Sequence, residues 1–285
     1  MKIFTLVWGF IFSGWLLIFN ISCNIINPME GVPSYLQVDT FTFTVVQGQG
    51  SSSSRITDVW VFDESTTLGA YEIPKTFPVL DSGEASMIFS PGIWDNGIAE
   101  TRIIYPFYYP DTITLDLEPG KILSITPHYS YRSTTKFNFI EDFEAGNLFT
   151  LLDGDSGMIR TTDPSKVFEG IASGEIFLNP DFEYYQGRSS GSYNFPENQP
   201  VFLELNYKCD QSFQVGLYGI QAAGTVFYYK WTINPRDYWN KIYLDMGSDV
   251  SLLGASDYQI LVKALFDTTR AESHIYLDNV KLVSF

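Results

Sequence analysis

Between Ser34 and about Arg132 the apolar and aromatic residues come in short runs: Phe41–Val45, Ile56–Phe62, Ala85–Phe89, Ile103–Tyr108, Ile113–Leu117 and Ile122–Thr126. None of them carries a helical period over about ten positions, so the pattern excludes a helical bundle for this stretch. The punctuation between the runs is that of tight turns. Gln47–Ser54 is a Gly/Ser loop, Asp81-Ser-Gly83 and Asp95-Asn-Gly97 demand positive φ, and Pro119-Gly120 fixes φ at one residue and frees it at the next. Short strands at this spacing predict a small antiparallel sandwich.

A second alternation begins further on. Val201, Leu203, Leu205, Tyr207 and Cys209 alternate with Phe202, Glu204, Asn206 and Lys208, a period-two strand with one apolar face. Cys209 shares that face and is expected to be a buried thiol acting as a small hydrophobe. Phe213/Val215/Leu217, Val226–Ile233, Lys241–Met246 and Tyr258–Phe266 supply further strands, and about eight in all is the number a jelly roll needs.

Composition narrows the function. The chain is 16% aromatic and 18% charged, with a net charge of -16 that becomes -17 if the leader carrying Lys2 is removed. Nucleic acid and anionic lipid are excluded as partners, because phosphate contacts need clustered Lys and Arg. Gly154-Asp-Ser-Gly157 has the look of a serine nucleophile loop, but only two histidines, His128 and His274, could serve as a base. Neither lies in a triad-like context, and the four residues read as a turn. With no phosphate loop, dinucleotide fingerprint or His/Cys cluster, the sequence predicts a protein that is not an enzyme and carries no transition metal.

The first residues set the location. A lone Lys2, an apolar run from Ile3 to Ile21 and then Ser22-Cys23 read as an export signal ending at a cysteine. The end of this stretch resembles the lipobox of bacterial lipoproteins, in the looser form of the Bacteroidota, with Asn20 where leucine is usual. The resemblance implies lipidation at Cys23, anchorage to the outer membrane and, for want of acidic residues after the cysteine, a periplasmic-facing position. A plain secretory signal cut near Ser22 and a retained membrane helix both fit the same residues. With Cys23 lipidated, Cys209 has no disulfide partner within the chain.

Two further resemblances give the organisation. Thr57–Phe62, Leu68–Tyr71 and Phe77–Leu80 look like the strand, turn and strand of immunoglobulin-like and PEGA-like extracytoplasmic modules. Phe139–Glu144, Val167–Gly170, Ser173–Leu178 and Ile275–Leu282 resemble jelly rolls related to carbohydrate-binding and galactose-binding-like modules. The expectation is an all-β chain of two β-sandwich domains: a signal peptide over 1–22, a tether over 23–33, an immunoglobulin-like sandwich over 34–133 and a jelly roll over 137–285. The second resemblance implies a structural calcium at Glu144 and Asp278, with a salt-bridged or solvated edge as the alternative; no other cofactor is expected.

If the jelly roll holds sugar, aromatic faces must stack on the ring and polar groups must fix its hydroxyls. Trp231, Trp239, Tyr184, Tyr185, Tyr229 and Arg188 are the candidates, core packing being the other explanation for the rings. Tyr228 and Tyr229 face opposite ways in a strand, so at least one is expected outside the core. The Tyr105–Pro110 patch reads either as a core strand or as a contact surface. The first functional reading is a membrane-anchored interaction component of a cell-envelope assembly with an envelope protein partner; the second is a glycan-binding lipoprotein. Cys23→Ala is expected to move the protein from the membrane fraction to the soluble fraction on fractionation, and unchanged partitioning would defeat the anchor.

Overall fold

The computed structural model describes residues 31–285. The signal peptide, Cys23 and most of the tether lie outside the described residues. Among those described there are 21 strands and one short helix, so the chain is all-β, as the turn-bounded runs predict.

The first half carries more strands than its six runs suggest. β1 (Ser34–Val38) lies between β5 (Lys75–Val79) and β9 (Ile122–Ile125), antiparallel to the former and parallel to the latter. A second sheet runs β4 (Thr66–Glu72), β3 (Asp58–Asp63), β6 (Gly83–Trp94) and β7 (Arg102–Ile104), with β8 (Asp111–Leu117) on the first part of β6. Leu36, Val38, Val59, Val61, Phe77, Met87 and Phe89 fill the space between these sheets. β2 (Thr42–Thr44) and β10 (His128–Ser130) pair in parallel beside them.

The second half is a larger sandwich. One sheet has the order β13 (Met158–Thr161), β14 (Ser173–Leu178), β21 (Ser273–Ser284), β16 (Val201–Cys209), β19 (Arg236–Asp245), with β11 (Lys136–Glu141) also on β21. The other has the order β12 (Phe149–Gly154), β15 (Tyr184–Ser189), β20 (Asp257–Leu265), β17 (Phe213–Gln221), β18 (Gly224–Ile233). Their inner faces share one core that includes Leu203, Leu205, Leu217, Val262 and Leu282. Helix α1 (Gly247–Leu253) closes one end and stops at Gly254, whose φ of 52° is the left-handed cap favoured by glycine. Cys209 is buried at the core, and burial pushes its thiol up to about 11, which makes it inert at neutral pH.

The alternation in β16 predicts one apolar and one polar face, yet both faces are buried. The outer face of the six-stranded sheet is covered by the first half of the chain. Tyr105, Phe107 and Tyr108 follow β7 as a turn rather than continuing a strand, and all three are fully buried. With Tyr129 and Tyr131 they form an aromatic layer against Phe202, Tyr243 and Val283. The Tyr105 patch is therefore a contact surface whose partner is the other half of the same chain.

That interface is polar at its centre. Glu204, fully buried, receives hydrogen bonds from the Tyr105 hydroxyl at 2.8 Å and the Tyr131 hydroxyl at 2.8 and 2.9 Å. Lys241 lies 3.1 Å from the same carboxylate, and the Lys281 ammonium donates to the Ser51 carbonyl at 2.6 Å. Burial alone would push the Glu204 carboxyl up; the charges of Lys241 and Lys281 and the two tyrosine hydroxyls outweigh it and hold the group below the ordinary carboxylate range. Burial also pushes the Lys281 ammonium down to about 7, against the pull of Glu204. The Asp95-Asn-Gly97 turn adds a backbone clamp: Asn96 N–H donates to the Tyr243 carbonyl, and Asp245 N–H donates to Asn96 Oδ1, both at 2.9 Å.

Tyr105→Phe keeps the ring contacts and removes one donor to a buried charge. The expected loss is about 1.5–3 kcal/mol in urea unfolding, in a single transition, because both halves share the group. A change confined to one of two separate transitions would show that the halves unfold independently.

Candidate functional site

The five-stranded sheet turns its outer face away from the shared core, and the register places its side chains in rows. One row runs Asp153, Gln186, Lys263, Gln214; the next runs Thr150, Arg188, Leu261, Gly216, Tyr229; a third runs Gln259, Tyr218, Phe227. A bulge between Val215 and Gly216 skips Lys230 and puts Tyr229 on the outer face. Gly216 is needed there, because a β-carbon at this position would collide with the Tyr228 carbonyl.

Two cations lie on two rings of this face. The Arg188 guanidinium is 5.0 Å from the centre of Tyr218 and donates to Gln259 Oε1 at 3.1 Å. The Lys263 ammonium is 4.6 Å from the centre of Tyr229. Among the described residues neither has a carboxylate within ion-pair distance. Tyr218 packs edge-on against Phe227, which is 46% exposed and is the most open ring of the surface. Tyr184 is half-buried with its hydroxyl on Gln186 Oε1. Burial pushes the Tyr229 phenol well above its usual range, and its hydroxyl has no hydrogen-bond partner among the described residues. Aromatic rings, Gln186, Gln214 and two cations without counter-charges make a surface suited to a polyhydroxylated ligand, while Gln259 is buried with its amide spent on Arg188, Ser189 and Gly191.

The structure distributes the expected sugar-binding residues over several places. Tyr184, Arg188 and Tyr229 share the outer face. Tyr185 does not: it points into the core, only 1% exposed, because adjacent strand positions face opposite ways. Trp231 pairs with Val215 on the inward face and packs against the core, with Lys230 lying 4.4 Å over its ring and bound to Asp249 of α1. The indole is a core contact, and Lys230 makes the bond to the helix. Tyr228 and Tyr229 are both half-buried, on opposite faces. Trp239 belongs to the other sheet, within β19 rather than at its start, beside Phe168 and Tyr276. On that second aromatic face Lys166 and His274 are both bound to Glu175, at 2.8 and 2.9 Å, while Lys208 lies 5.7 Å from the Tyr276 ring centre with no ion pair among the described residues. Tyr218, Phe227, Lys263 and the glutamines escaped the sequence reading; only the exact register, bulge included, reveals that they converge.

Glu144 and Asp278 do line one cleft of about 310 Å³, with Asp142, Glu169 and Ser51. Calcium takes about six to eight oxygens, and both carboxylates are here already engaged by donors of the chain. Glu144 accepts from the N–H groups of Ile171 and Ala172, and Asp278 from the Ser173 hydroxyl and the Asn279 N–H. Burial pushes Asp278 up to about 6. Among the described residues no group of three or more acidic, histidine or cysteine side chains is arranged to hold a metal. In the Gly154–Gly157 loop, Ser156 donates to the Phe177 carbonyl at 2.6 Å, a structural bond.

No family model and no curated protein matches the chain. Among solved structures, one described under the promiscuous specificity of carbohydrate-binding modules of the β-sandwich superfamily is 14% identical, covering 90% of this chain and 99% of its own, with a TM-score of 0.38. A mutant of CBM29-2, a family 29 carbohydrate-binding module, is 17% identical over 54% of this chain and 91% of its own, TM-score 0.34. The enzymatically active domain of tailspike protein 4 of bacteriophage CBA120 is 12% identical over 57% of this chain and 26% of its own, TM-score 0.39. At these TM-scores none of the likenesses assigns a ligand or an activity to this chain.

A carboxyl raised in the folded state binds its proton more tightly there than in the unfolded chain. Its stabilising effect is present below pH 3.8 and is lost as pH rises through about 6. Asp278→Asn is therefore expected to remove a stability decline on the order of 3 kcal/mol between pH 4 and 6. Parallel pH–stability curves for the variant and the parent would contradict the burial argument.

Proposed function

We propose that this chain is a non-catalytic glycan-binding protein whose ligand surface is the outer face of the β12-β15-β20-β17-β18 sheet. The observation that carries the reading is the pair of cations, Arg188 and Lys263, lying on Tyr218 and Tyr229 with no acidic partner among the described residues and flanked by Gln186 and Gln214. Exposed Phe227 offers a ring on which the apolar face of a pyranose can stack, while the amides and cations meet its hydroxyls. The weak likenesses to carbohydrate-binding modules agree with the reading without carrying it.

The role put first by the sequence, an interaction component of an envelope assembly, takes second place for a structural reason. Its best contact surface, Tyr105–Tyr108, is spent inside the molecule. The leader supplies the setting: lipidation at Cys23 would hold the protein at the outer membrane, on the periplasmic side, where glycans of the envelope are within reach.

Glycan-array screening followed by calorimetry on the intact folded chain tests this. Tyr229→Ala and Arg188→Ala are each expected to weaken binding about tenfold, ~1.4 kcal/mol, with circular dichroism unchanged, whereas Trp239→Ala leaves affinity intact. Failure to bind any glycan, together with stoichiometric capture of an envelope protein, would restore the assembly role.

A further inference from the structure

Strand pairing sets Asn206 of β16 directly opposite Lys241 of β19, with Glu204 two positions earlier on the same face. All three are shut away from water, at 2%, 5% and 0% exposure. Buried polar groups normally find hydrogen-bond partners. Here Asn206 Oδ1 and Lys241 Nζ are both buried without one, and Nζ sits 3.1 Å from Glu204 Oε2 but outside hydrogen-bonding geometry. The carboxylate is itself fixed by the Tyr105 and Tyr131 hydroxyls, and the Tyr243 ring centre lies 5.6 Å from Nζ. An amine, a carboxamide and a proton acceptor thus share one face of two paired strands in a dry site walled by aromatic rings.

We propose that Lys241 and Asn206 become joined by an intramolecular amide bond, with Glu204 as the proton carrier. Proton transfer from the ammonium to the carboxylate 3.1 Å away frees the lysine lone pair. Nζ then attacks Asn206 Cγ; the Nζ–Cγ bond forms and the Cγ–Nδ2 bond breaks. The two protons shed by the lysine nitrogen leave with Nδ2 as ammonium, relayed by Glu204, which returns to its carboxylate. No electrons change hands and no co-reactant is needed. Fixed proximity lowers the barrier to such a step by holding the reacting groups in place. The bond would tie β16 to β19 in the sheet that faces the first half of the chain, in a molecule whose one cysteine among the described residues is unpaired.

The test is tryptic digestion and mass spectrometry of the denatured full chain, taken from folded protein. The expected result is a branched peptide joining the stretch that ends at Lys208 to the stretch containing Lys241, lighter than the two by one ammonia and uncut after Lys241. Glu204→Gln and Lys241→Met are each expected to yield only linear peptides. Linear peptides of full mass from the folded parent protein, with cleavage after Lys241, would overturn the cross-link and leave an ordinary buried ion pair. A branched peptide from Glu204→Gln would overturn the role given to Glu204.

Discussion

A single carboxylate, that of Glu204, holds the architecture together. Taking it out of water costs several kcal/mol unless charges and donors converge on it, and those come from both halves of the chain: Tyr105 and Tyr131 from the first, Lys241 and Lys281 from the second. Around this point the aromatic layer excludes solvent, and outside it the Asn96 turn locks backbone to backbone. Neither half supplies all the partners of the group, so the contact is made only when the two sandwiches are packed together.

Much of the local structure was legible from residue types. The turns at Gly83, Asn96-Gly97 and Gly120 adopt positive φ where the sequence demands it, and the burial of Cys209 follows from its register. What could not be read was which polar residues of a strand would be covered from outside. Glu204 and Asn206 look like the solvent side of an amphipathic strand, because period two says only that faces alternate, not what lies against them. The same limit applied to Tyr105–Tyr108, whose partner was a distant stretch of the same chain.

The candidate site failed to be legible for a different reason. Sequence reasoning selects conspicuous rings, and Trp231 and Trp239 are conspicuous, but one packs against the core and the other lies on the opposite sheet beside Phe168 and Tyr276. The surface that does gather unsatisfied chemistry depends on a one-residue bulge at Lys230 and on Gly216 beneath it. A slip of one position would send Tyr229 to the other face.

The covered face of the six-stranded sheet has a practical consequence. Excised from its neighbour, the second sandwich would uncover Phe202, Tyr243 and Val283 around a carboxylate and two lysines. Rings set among polar groups are the signature by which sugar-binding surfaces are recognised. The isolated fragment would thus display a counterfeit ligand site, made by the cut and absent from the intact chain.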